Sequence, residues 1–228
     1  MSGPQAELRW NTVLFDLDGT LIDTSAGIRN ALAAALDEMS AEARGSRDAD
    51  LSLPLDAMIR SVRPTASRAE QLLLIEAFRR HYDSGAWVMA ELYVGAVECL
   101  RLLKASGVRS YVVTNKRQGA ALRLLNHFQL SPHVRGIVGQ ADFGNPVPKA
   151  ELAGQLLQSE RIDPSTAVVV GDSDHDEAMA VACALPFIAL IGGAGPLSHT
   201  LIARERVEVE TLGDVARLVL GEDHGRKP

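Results

Sequence analysis

The sequence is poor in the residues on which several classes of protein depend. Its 228 residues include only two cysteines, Cys99 and Cys183, and they lie too far apart in the chain to suggest a disulfide framework or a zinc-ligand spacing. Aromatic residues make up 4% of the chain, so leucine, valine, isoleucine and alanine must fill the core. A reduced, cytoplasmic setting is the simplest expectation from so little cysteine.

Positive charge is also in short supply, and long apolar runs are missing. Lysine and arginine number 23 against 29 aspartate and glutamate residues, which leaves a formal net charge of −6. Nucleic acid and anionic membrane surfaces are bound by clustered positive charge, so we expect neither as a partner. No run approaches the ~20 apolar residues of a membrane span, and residues 1–10 have no apolar core of signal-peptide length.

What the sequence does contain is an alternation of short apolar runs with helical segments. Residues 12–15 form the first run, and similar runs occupy residues 110–114, 135–139, 167–171 and 187–191. Continuous apolar runs of this length are typical of buried parallel strands, and strands that alternate with helices indicate a parallel sheet. The sequence therefore predicts an α/β fold, with a Rossmann-like parallel sheet and helices on both faces.

One interval interrupts this alternation. Residues 24–91 are helical in pattern, with apolar residues at helical spacing near both ends of the interval, and they contain no convincing strand. We interpret the interval as an all-helical insertion after the first strand. The predicted domains are a core formed by residues 1–22 and 92–228, and a helical unit formed by residues 23–91.

Polar residues cluster where the predicted strands end. In an open parallel sheet the carboxyl ends of the strands share one edge, and ligands collect there. The residues at or next to this edge include several carboxylates, a hydroxyl group, an ammonium group and a glycine. They are Asp16, Asp18, Gly19, Thr114, Asn115, Lys149, Asp172 and Asp176.

Such a concentration of carboxylates needs either a proton or a cation to reduce its repulsion. Two carboxylates about 4 Å apart repel one another by roughly 4 kcal/mol at an effective dielectric constant of about 20. Either one of them takes up a proton or a cation lies between them. Hard oxygen ligands suit Mg²⁺, which keeps several of its waters and often partners a phosphate group. The sequence therefore predicts a Mg²⁺ site beside a phosphate site.

Four motifs in this sequence resemble those of a known family. The run Asp-Leu-Asp-Gly-Thr at 16–20, then Thr114, then a lysine, then Gly-Asp-Ser-Asp-His-Asp at 171–176 follow one another in the order and spacing of the haloacid dehalogenase superfamily. The resemblance covers nearly the whole chain, and the helical insertion looks like that superfamily's small helical cap. Residues 93–95, 100–104 and 112–116 look most like those of phosphoglycolate phosphatases and their near relatives.

The resemblance implies a phosphatase that works through an aspartyl-phosphate intermediate. Asp16 would be the nucleophile and a metal ligand. Asp18 would protonate the leaving alcohol, deprotonate the attacking water and offer its backbone carbonyl to the metal. Gly19 would let the chain fold tightly around the phosphate. Dehalogenases lack an acid at the position of Asp18, so its presence favours phosphoryl transfer.

The other motifs imply the phosphate contacts and the rest of the metal site. Thr114 would hydrogen-bond a phosphoryl oxygen, with the backbone N–H of Asn115 nearby. Lys149 would neutralise charge on the transferring group. Asp172 would bind Mg²⁺ directly, and Asp176 would hydrogen-bond that ligand or a metal-bound water without binding the metal itself.

The lysine motif departs from the family's pattern. Relatives often carry Lys-Pro-x-Pro before the fourth strand, and a direct overlay places Asn145 at the position of that lysine. Lys149 directly opens the following helix, which resembles a shorter variant of the motif. We therefore assign the role to Lys149 and expect Asn145 to lie in a loop.

Several functions share this chemistry. A small phosphomonoester similar to phosphoglycolate is the leading substrate, and a sugar-phosphate mutase or a 5′-nucleotidase of the same superfamily is the alternative. A different class, the phospho-accepting receiver module of two-component signalling, also carries an aspartyl phosphate at strand ends. Receivers are far shorter and lack both the helical insertion and the acid at Asp18. No sequence feature indicates an oligomeric state.

Overall fold

A computed structural model of the protein describes residues 9–39, 48–193, 195, 197, 203 and 205–222. The strands are β1 (Thr12–Phe15), β2 (Ile22–Asp23), β3 (Glu91–Leu92), β4 (Arg109–Arg117), β5 (Gly136–Gln140), β6 (Ala167–Gly171), β7 (Phe187–Leu190) and β8 (Arg206–Val209). The α-helices are α1 (Ser25–Glu38), α2 (Leu55–Val62), α3 (Arg68–Ser84), α4 (Ala96–Ala105), α5 (Gln118–His127), α6 (Lys149–Ser159), α7 (Asp174–Ala182) and α8 (Leu212–Val219). Short 3₁₀ helices cover Ala86–Met89, Ser131–His133 and Pro164–Thr166.

Six of these strands form one sheet, in the order β5-β4-β1-β6-β7-β8, and every pairing in it is parallel. β1 lies between β4 and β6, where Phe15 is aligned with Val112 on one side and with Val170 on the other. The backbone N–H of Asp16 continues this pairing, because it donates to the carbonyl of Val170 at 2.9 Å. Asp16 therefore leaves the sheet at the middle of its carboxyl edge.

Side chains of the central strands divide the core into two layers. Val13 and Phe15 of β1 pack on one face with residues of α4, α5 and α8. Leu14 packs on the opposite face with residues of α6 and α7. Strands buried on both faces have continuous apolar sequences, which is the pattern that β1 and β6 show. The predicted α/β class, a parallel sheet with helices on both faces, is confirmed.

A third cluster of buried side chains lies among α1, α2 and α3. Its fully buried members include Leu32, Leu36, Ile59 and Leu74. The chain leaves and rejoins the sheet through β2 and β3, an antiparallel pair in which Ile22 faces Leu92. The division into a core of residues 1–22 and 92–228 and a unit of residues 23–91 remains a proposal, which this separate cluster supports. Within the described part of the chain, no helix is long and apolar enough to cross a bilayer.

The structure contains elements that the sequence did not predict, among them α2 and β8. α2 contributes to the third cluster, and β8 extends the sheet at its edge, where Val207 is aligned with Ile188 of β7. β8 alternates polar and apolar residues, since an edge strand is less buried than the central ones. Arg206 of β8 is paired with the buried Glu177 of α7 at 2.7 Å, which fixes the strand against that helix.

β4 runs past its predicted end and becomes irregular there. Between the aligned pairs Val113–Val138 and Arg117–Gln140, β4 has three residues where β5 has one. Extra residues of this kind bend a strand and change the direction of its side chains. Residues 114–116 lie in this irregular stretch, beside the carboxyl end of β1.

Candidate active site

The carboxyl edge of the sheet borders a cavity of about 630 Å³, which α1, α2 and α3 line from the other side. Most of the residues predicted for the site line this cavity. They are Asp16, Asp18, Gly19, Thr114, Asn115, Lys149 and Asp172. Asp176, the remaining predicted residue, is fully buried behind them.

Lys149 lies between two carboxylates at the start of α6. Its Nζ contacts Oδ1 of Asp16 and lies 2.5 Å from Oδ1 of Asp176. Burial disfavours the charged ammonium, but attraction to the two carboxylates outweighs this and raises the pKa of Lys149 above its ordinary value. Asn145, the alternative position for the lysine, is exposed in the loop before α6. The geometry therefore places the ammonium group of Lys149 next to the carboxylate of Asp16.

Asp176 organises the turn between β6 and α7. Its Oδ2 accepts hydrogen bonds from the backbone N–H of Asp172 at 3.2 Å and from the N–H and Oγ of Ser173 at 3.1 and 2.6 Å. These contacts form a capping box at the start of α7. Because Lys149 contacts the other oxygen, Asp176 already has donors on both. This arrangement suits a residue that holds the metal ligands in place.

Asp172 is positioned from two sides. Its Oδ1 accepts from Oγ1 of Thr20 at 3.0 Å, and its Oδ2 accepts from the backbone N–H of Gly195 at 2.8 Å. Gly19 packs against the carboxylate with a φ of +89°, and a Cβ there would lie 2.2 Å from Oδ2. Burial and the neighbouring Asp176 carboxylate raise the pKa of Asp172 to about 6.

The carboxylates at this edge form a group that a cation could occupy. One oxygen from each of Asp16, Asp172 and Asp176 lies within 4.8 Å of the others. The pKa of Asp16 is raised well above its usual value, chiefly by burial, although the Lys149 ammonium opposes the shift. Buried carboxylates whose pKa values are raised in this way gain from a nearby positive charge. The residues present therefore fit a divalent cation with oxygen ligands.

Asp18 is held by a different set of residues. Its Oδ1 accepts a hydrogen bond from Oγ1 of Thr24 at 2.6 Å, and Nζ of Lys116 lies 2.9 Å from the same oxygen. Both of these contacts fall on Oδ1 of the carboxylate. Thr24 stands at the N-terminus of α1, which means that the insertion itself orients this carboxylate.

Lys116 is a site residue to which the sequence motifs assign no role. Only 12% of its side chain is exposed, and its Nζ lies 4.9 Å from the ring centroid of Tyr82 in α3. Burial works against the charge of Lys116, but Asp18 and Tyr82 stabilise it and raise its pKa above the ordinary value. The position of Lys116 directly after Thr114 and Asn115 is the sequence signal that could have placed it in the site. That signal is weak, because a lysine at a strand end is usually exposed.

Thr114 and Asn115 occupy the positions that the motif predicts. Thr114 is buried, and its Oγ1 accepts the backbone N–H of Lys116 at 3.1 Å. The hydroxyl hydrogen of Thr114 is thereby left to donate to a ligand in the cavity. Asn115 is partly exposed and lines the same cavity.

Two ion pairs connect α3 to the core beside Lys116. Asp83 accepts from Nη2 of Arg117 at 2.8 Å and from Nη2 of Arg123 at 2.7 Å. Arg117 ends β4 and Arg123 belongs to α5, so α3 is connected to two core elements. The cavity is therefore bordered on this side by an insertion that already contacts the core.

Comparison with known proteins identifies the family. The sequence profile described as haloacid dehalogenase-like hydrolase matches residues 13–190, most of the chain. This chain belongs to the haloacid dehalogenase-like hydrolases. The resemblance inferred from the four motifs is thus confirmed, and the residues of all four motifs fall within the matched range.

Relatives of this haloacid dehalogenase-like chain differ in their named activities. The tyrosine-protein kinase PtkA of Mycobacterium tuberculosis is 31% identical over 188 residues, which cover 80% of this chain and 62% of the kinase. The chain thus spans less than two thirds of that relative's length. The phosphoglycolate phosphatase of Aquifex aeolicus is 31% identical over 166 residues, or 72% of this chain and 76% of that protein.

Solved structures share the fold of this family member. A haloacid dehalogenase-like hydrolase from Streptococcus pneumoniae has a TM-score of 0.79 and 23% identity, and the match covers 91% of this chain and 97% of that one. The solved PtkA chain of Mycobacterium tuberculosis has a TM-score of 0.77 and 28% identity, and the match covers 93% of this chain and 99% of that one. Both support the α/β assignment.

Proposed function

We propose that this protein is a Mg²⁺-dependent phosphatase that hydrolyses a phosphomonoester through a phosphoaspartyl intermediate on Asp16. One observation carries the proposal: two carboxylates with different partners line the same cavity. Asp16 is buried against Lys149, whereas Asp18 is held by Lys116 and Thr24. A nucleophile and an acid–base group need separate environments of this kind. The name of the Aquifex aeolicus relative supports a phosphatase, and phosphoglycolate serves as the reference substrate.

The first step forms the covalent intermediate. A carboxylate oxygen of Asp16 attacks phosphorus while the bond between phosphorus and the alcohol oxygen breaks. Asp18 gives a proton to that alcohol oxygen, so the alcohol leaves neutral. Thr114 donates a hydrogen bond to a phosphoryl oxygen, and the ammonium of Lys149 offsets the charge that develops on the transferring group.

The second step restores the enzyme. A water molecule attacks the phosphorus of the phosphoaspartyl group, and Asp18, now ionised, takes up a proton from that water. The bond between phosphorus and Asp16 breaks, which releases inorganic phosphate and frees the carboxylate. Lys116 and Thr24 keep Asp18 in one position through both proton transfers. The insertion limits the entry of bulk water into the cavity.

The metal would be held by the carboxylates that the fold brings together. Asp16 and Asp172 would bind it with the backbone carbonyl of Asp18, while Asp176 would keep Asp172 in place. When bound, Mg²⁺ supplies positive charge that offsets the repulsion between these carboxylates and a phosphate dianion. Burial raises the pKa values of both Asp16 and Asp172, which supports a cation beside them.

Binding of Mg²⁺ should depend on pH through Asp172. Its pKa of about 6 in the folded chain lies above the ordinary aspartate value, so the folded state binds this proton more tightly than the unfolded state does. Without metal, this group should therefore make the chain more stable as the pH falls from 7 towards 5.

Saturating Mg²⁺ should raise Tm by roughly 5 °C at pH 7.5, and by less at pH 5.5, where the proton competes with the metal for Asp172. Calorimetry of the protein and of Asp172→Asn, which should lose most of the Mg²⁺ effect, checks this prediction; an equal Mg²⁺ shift at both pH values contradicts it.

Turnover separates a phosphatase from a phospho-accepting module. With p-nitrophenyl phosphate in large excess over protein and with Mg²⁺ present, we expect continuous release of p-nitrophenol over many equivalents. EDTA should stop the release, and an excess of Mg²⁺ should restore it. Release that ends after one equivalent would indicate that the protein keeps the phosphoryl group, and activity unaffected by EDTA would overturn the metal requirement.

Transfer to an acceptor other than water is a second candidate, because a matched relative is named as a tyrosine-protein kinase. The same phosphoaspartyl intermediate would then pass its phosphoryl group to a hydroxyl group. Incubation with γ-labelled ATP and a tyrosine-containing peptide distinguishes the two outcomes. Labelled peptide would favour the kinase, whereas an unlabelled peptide together with turnover of p-nitrophenyl phosphate would favour the phosphatase.

A further inference from the structure

The cavity is larger than a two-carbon substrate requires. Its volume of about 630 Å³ lies within the range of roughly 300–1,000 Å³ that is typical of pockets for larger organic ligands. The polar residues of the catalytic site form one wall of it. Much of the opposite wall is apolar and comes from α1, α2, α3 and the segment that precedes α2. The apolar side chains on that wall include Ile28, Leu51, Leu53, Met58, Ile75 and Phe78.

This volume is measured with the insertion already in contact with the core. Asp83 of α3 is paired with Arg117 and Arg123, and Tyr82 lies against the Lys116 ammonium. A cavity that was large only because the insertion had swung away from the core would lack these contacts. The space is therefore available to a substrate while Asp18 is held in its working position.

A cation interrupts the apolar wall. Arg79 lines the cavity, and its Nε is buried without a hydrogen-bond partner in the described part of the chain. Burial and the nearby guanidinium of Arg117 lower the pKa of Arg79, against a weaker attraction from Asp83 and Glu76. A buried donor without a partner destabilises the free protein, so a ligand oxygen that accepts from it is favoured. An anionic group in the cavity would accept this hydrogen bond and would also stabilise the positive charge of Arg79.

We propose that the substrate is a phosphomonoester whose alcohol part is bulky and largely apolar and carries an acidic group that Arg79 binds. The proposal rests on the phosphatase function and names its substrate class. The phosphoryl group occupies the wall with Asp16 and Lys149, and the apolar part of the alcohol covers the side chains of the insertion. Glycolate would leave that apolar surface in contact with water, which weakens binding in proportion to the area left exposed.

Five phosphate esters of alkyl alcohols test the substrate class without the advantage that a phenol has as a leaving group. They are phosphoglycolate, ethyl phosphate, benzyl phosphate, 3-carboxybenzyl phosphate and 4-carboxybenzyl phosphate, and the carboxybenzyl ester with the higher kcat/KM is used in the comparisons. We expect kcat/KM to be about 10-fold higher or more for benzyl than for ethyl phosphate, and highest for the carboxybenzyl ester. A higher kcat/KM for phosphoglycolate than for benzyl phosphate overturns the proposal. Failure to hydrolyse these esters and p-nitrophenyl phosphate would instead overturn the phosphatase function itself.

Substitutions of Arg79 and of its neighbour Arg80 test the role of Arg79. In Arg79→Gln, the ratio of kcat/KM for carboxybenzyl over benzyl phosphate should fall by about 10- to 100-fold, through KM more than kcat. Arg80→Gln is the matched control, because Arg80 is exposed on the same helix and is paired with Glu38 away from the cavity. An unchanged ratio in Arg79→Gln contradicts the assignment. If that variant does not fold, the comparison of esters with the unaltered protein still decides the substrate class.

Discussion

Replacing Asp16 with asparagine is expected to lower kcat for phosphate release by about 10⁴-fold or more. The amide keeps the size of the side chain, but it lacks the anionic oxygen that attacks phosphorus. The fold should persist, because burial raises the pKa of Asp16 and a neutral group is easier to bury there. Asp176, whose Oδ1 lies 2.5 Å from Nζ of Lys149 in the unaltered protein, should still provide a partner for the ammonium group.

Asp163→Asn provides the matched control for this experiment. Asp163 is exposed at the start of the 3₁₀ turn before β6, at the opposite edge of the sheet from the cavity. Asparagine can also accept the hydrogen bond from the Ser165 N–H, so rate and Tm should stay close to those of the unaltered protein. Both variants are compared by initial rates with p-nitrophenyl phosphate and by thermal melting. If Asp16→Asn kept more than about one tenth of kcat, the covalent mechanism would be wrong.

Replacing Lys149 with methionine is expected to lower kcat/KM by about 10²- to 10³-fold. Methionine has a similar length but no charge, so the transferring phosphoryl group loses the ammonium beside it. The change also leaves the carboxylates of Asp16 and Asp176 buried without their shared cation. Removing one partner of a buried ion pair typically costs about 3–5 kcal/mol, and we expect a lower Tm that Mg²⁺ partly restores.

Two further variants serve as controls for Lys149→Met. Lys104→Met makes the same change at an exposed position, where Nζ donates to the carbonyl of Pro132 at 2.6 Å, and its activity should be unaltered. Asn145→Ala tests the alternative placement of the lysine motif and should keep kcat/KM within a few-fold of the original. A large loss in Asn145→Ala together with a small one in Lys149→Met would reverse the assignment of the motif.

The predicted strands came closest to the structure where burial is complete. β1 and β6 have the bounds that their apolar runs indicate, because both faces of these central strands are buried. The sequence did not predict β8, because this edge strand alternates polar and apolar residues and so has no continuous apolar run. The real extent of β4 depends on an irregular pairing with β5, which the residues of β4 alone do not indicate.

For the site, the sequence located residues but not all of their partners. Asp16, Lys149 and Asp172 lie together as the motifs predict, although their catalytic roles remain proposals. The sequence places Lys116 at the end of a predicted strand but assigns it no role, and it does not point to Arg79, because each resembles an ordinary surface cation. Their burial arises only when α3 packs against the carboxyl edge of the sheet.

By itself, the sequence determined the family, the parallel α/β sheet and the chemical types gathered at its carboxyl edge. It could do so because apolar periodicity and strand-end motifs are local properties of the chain. Only the tertiary structure decided which cation meets which carboxylate, pairing Lys149 with Asp16 and Lys116 with Asp18. It also decided the size and apolar character of the cavity, since these depend on how an insertion distant in sequence packs against the sheet.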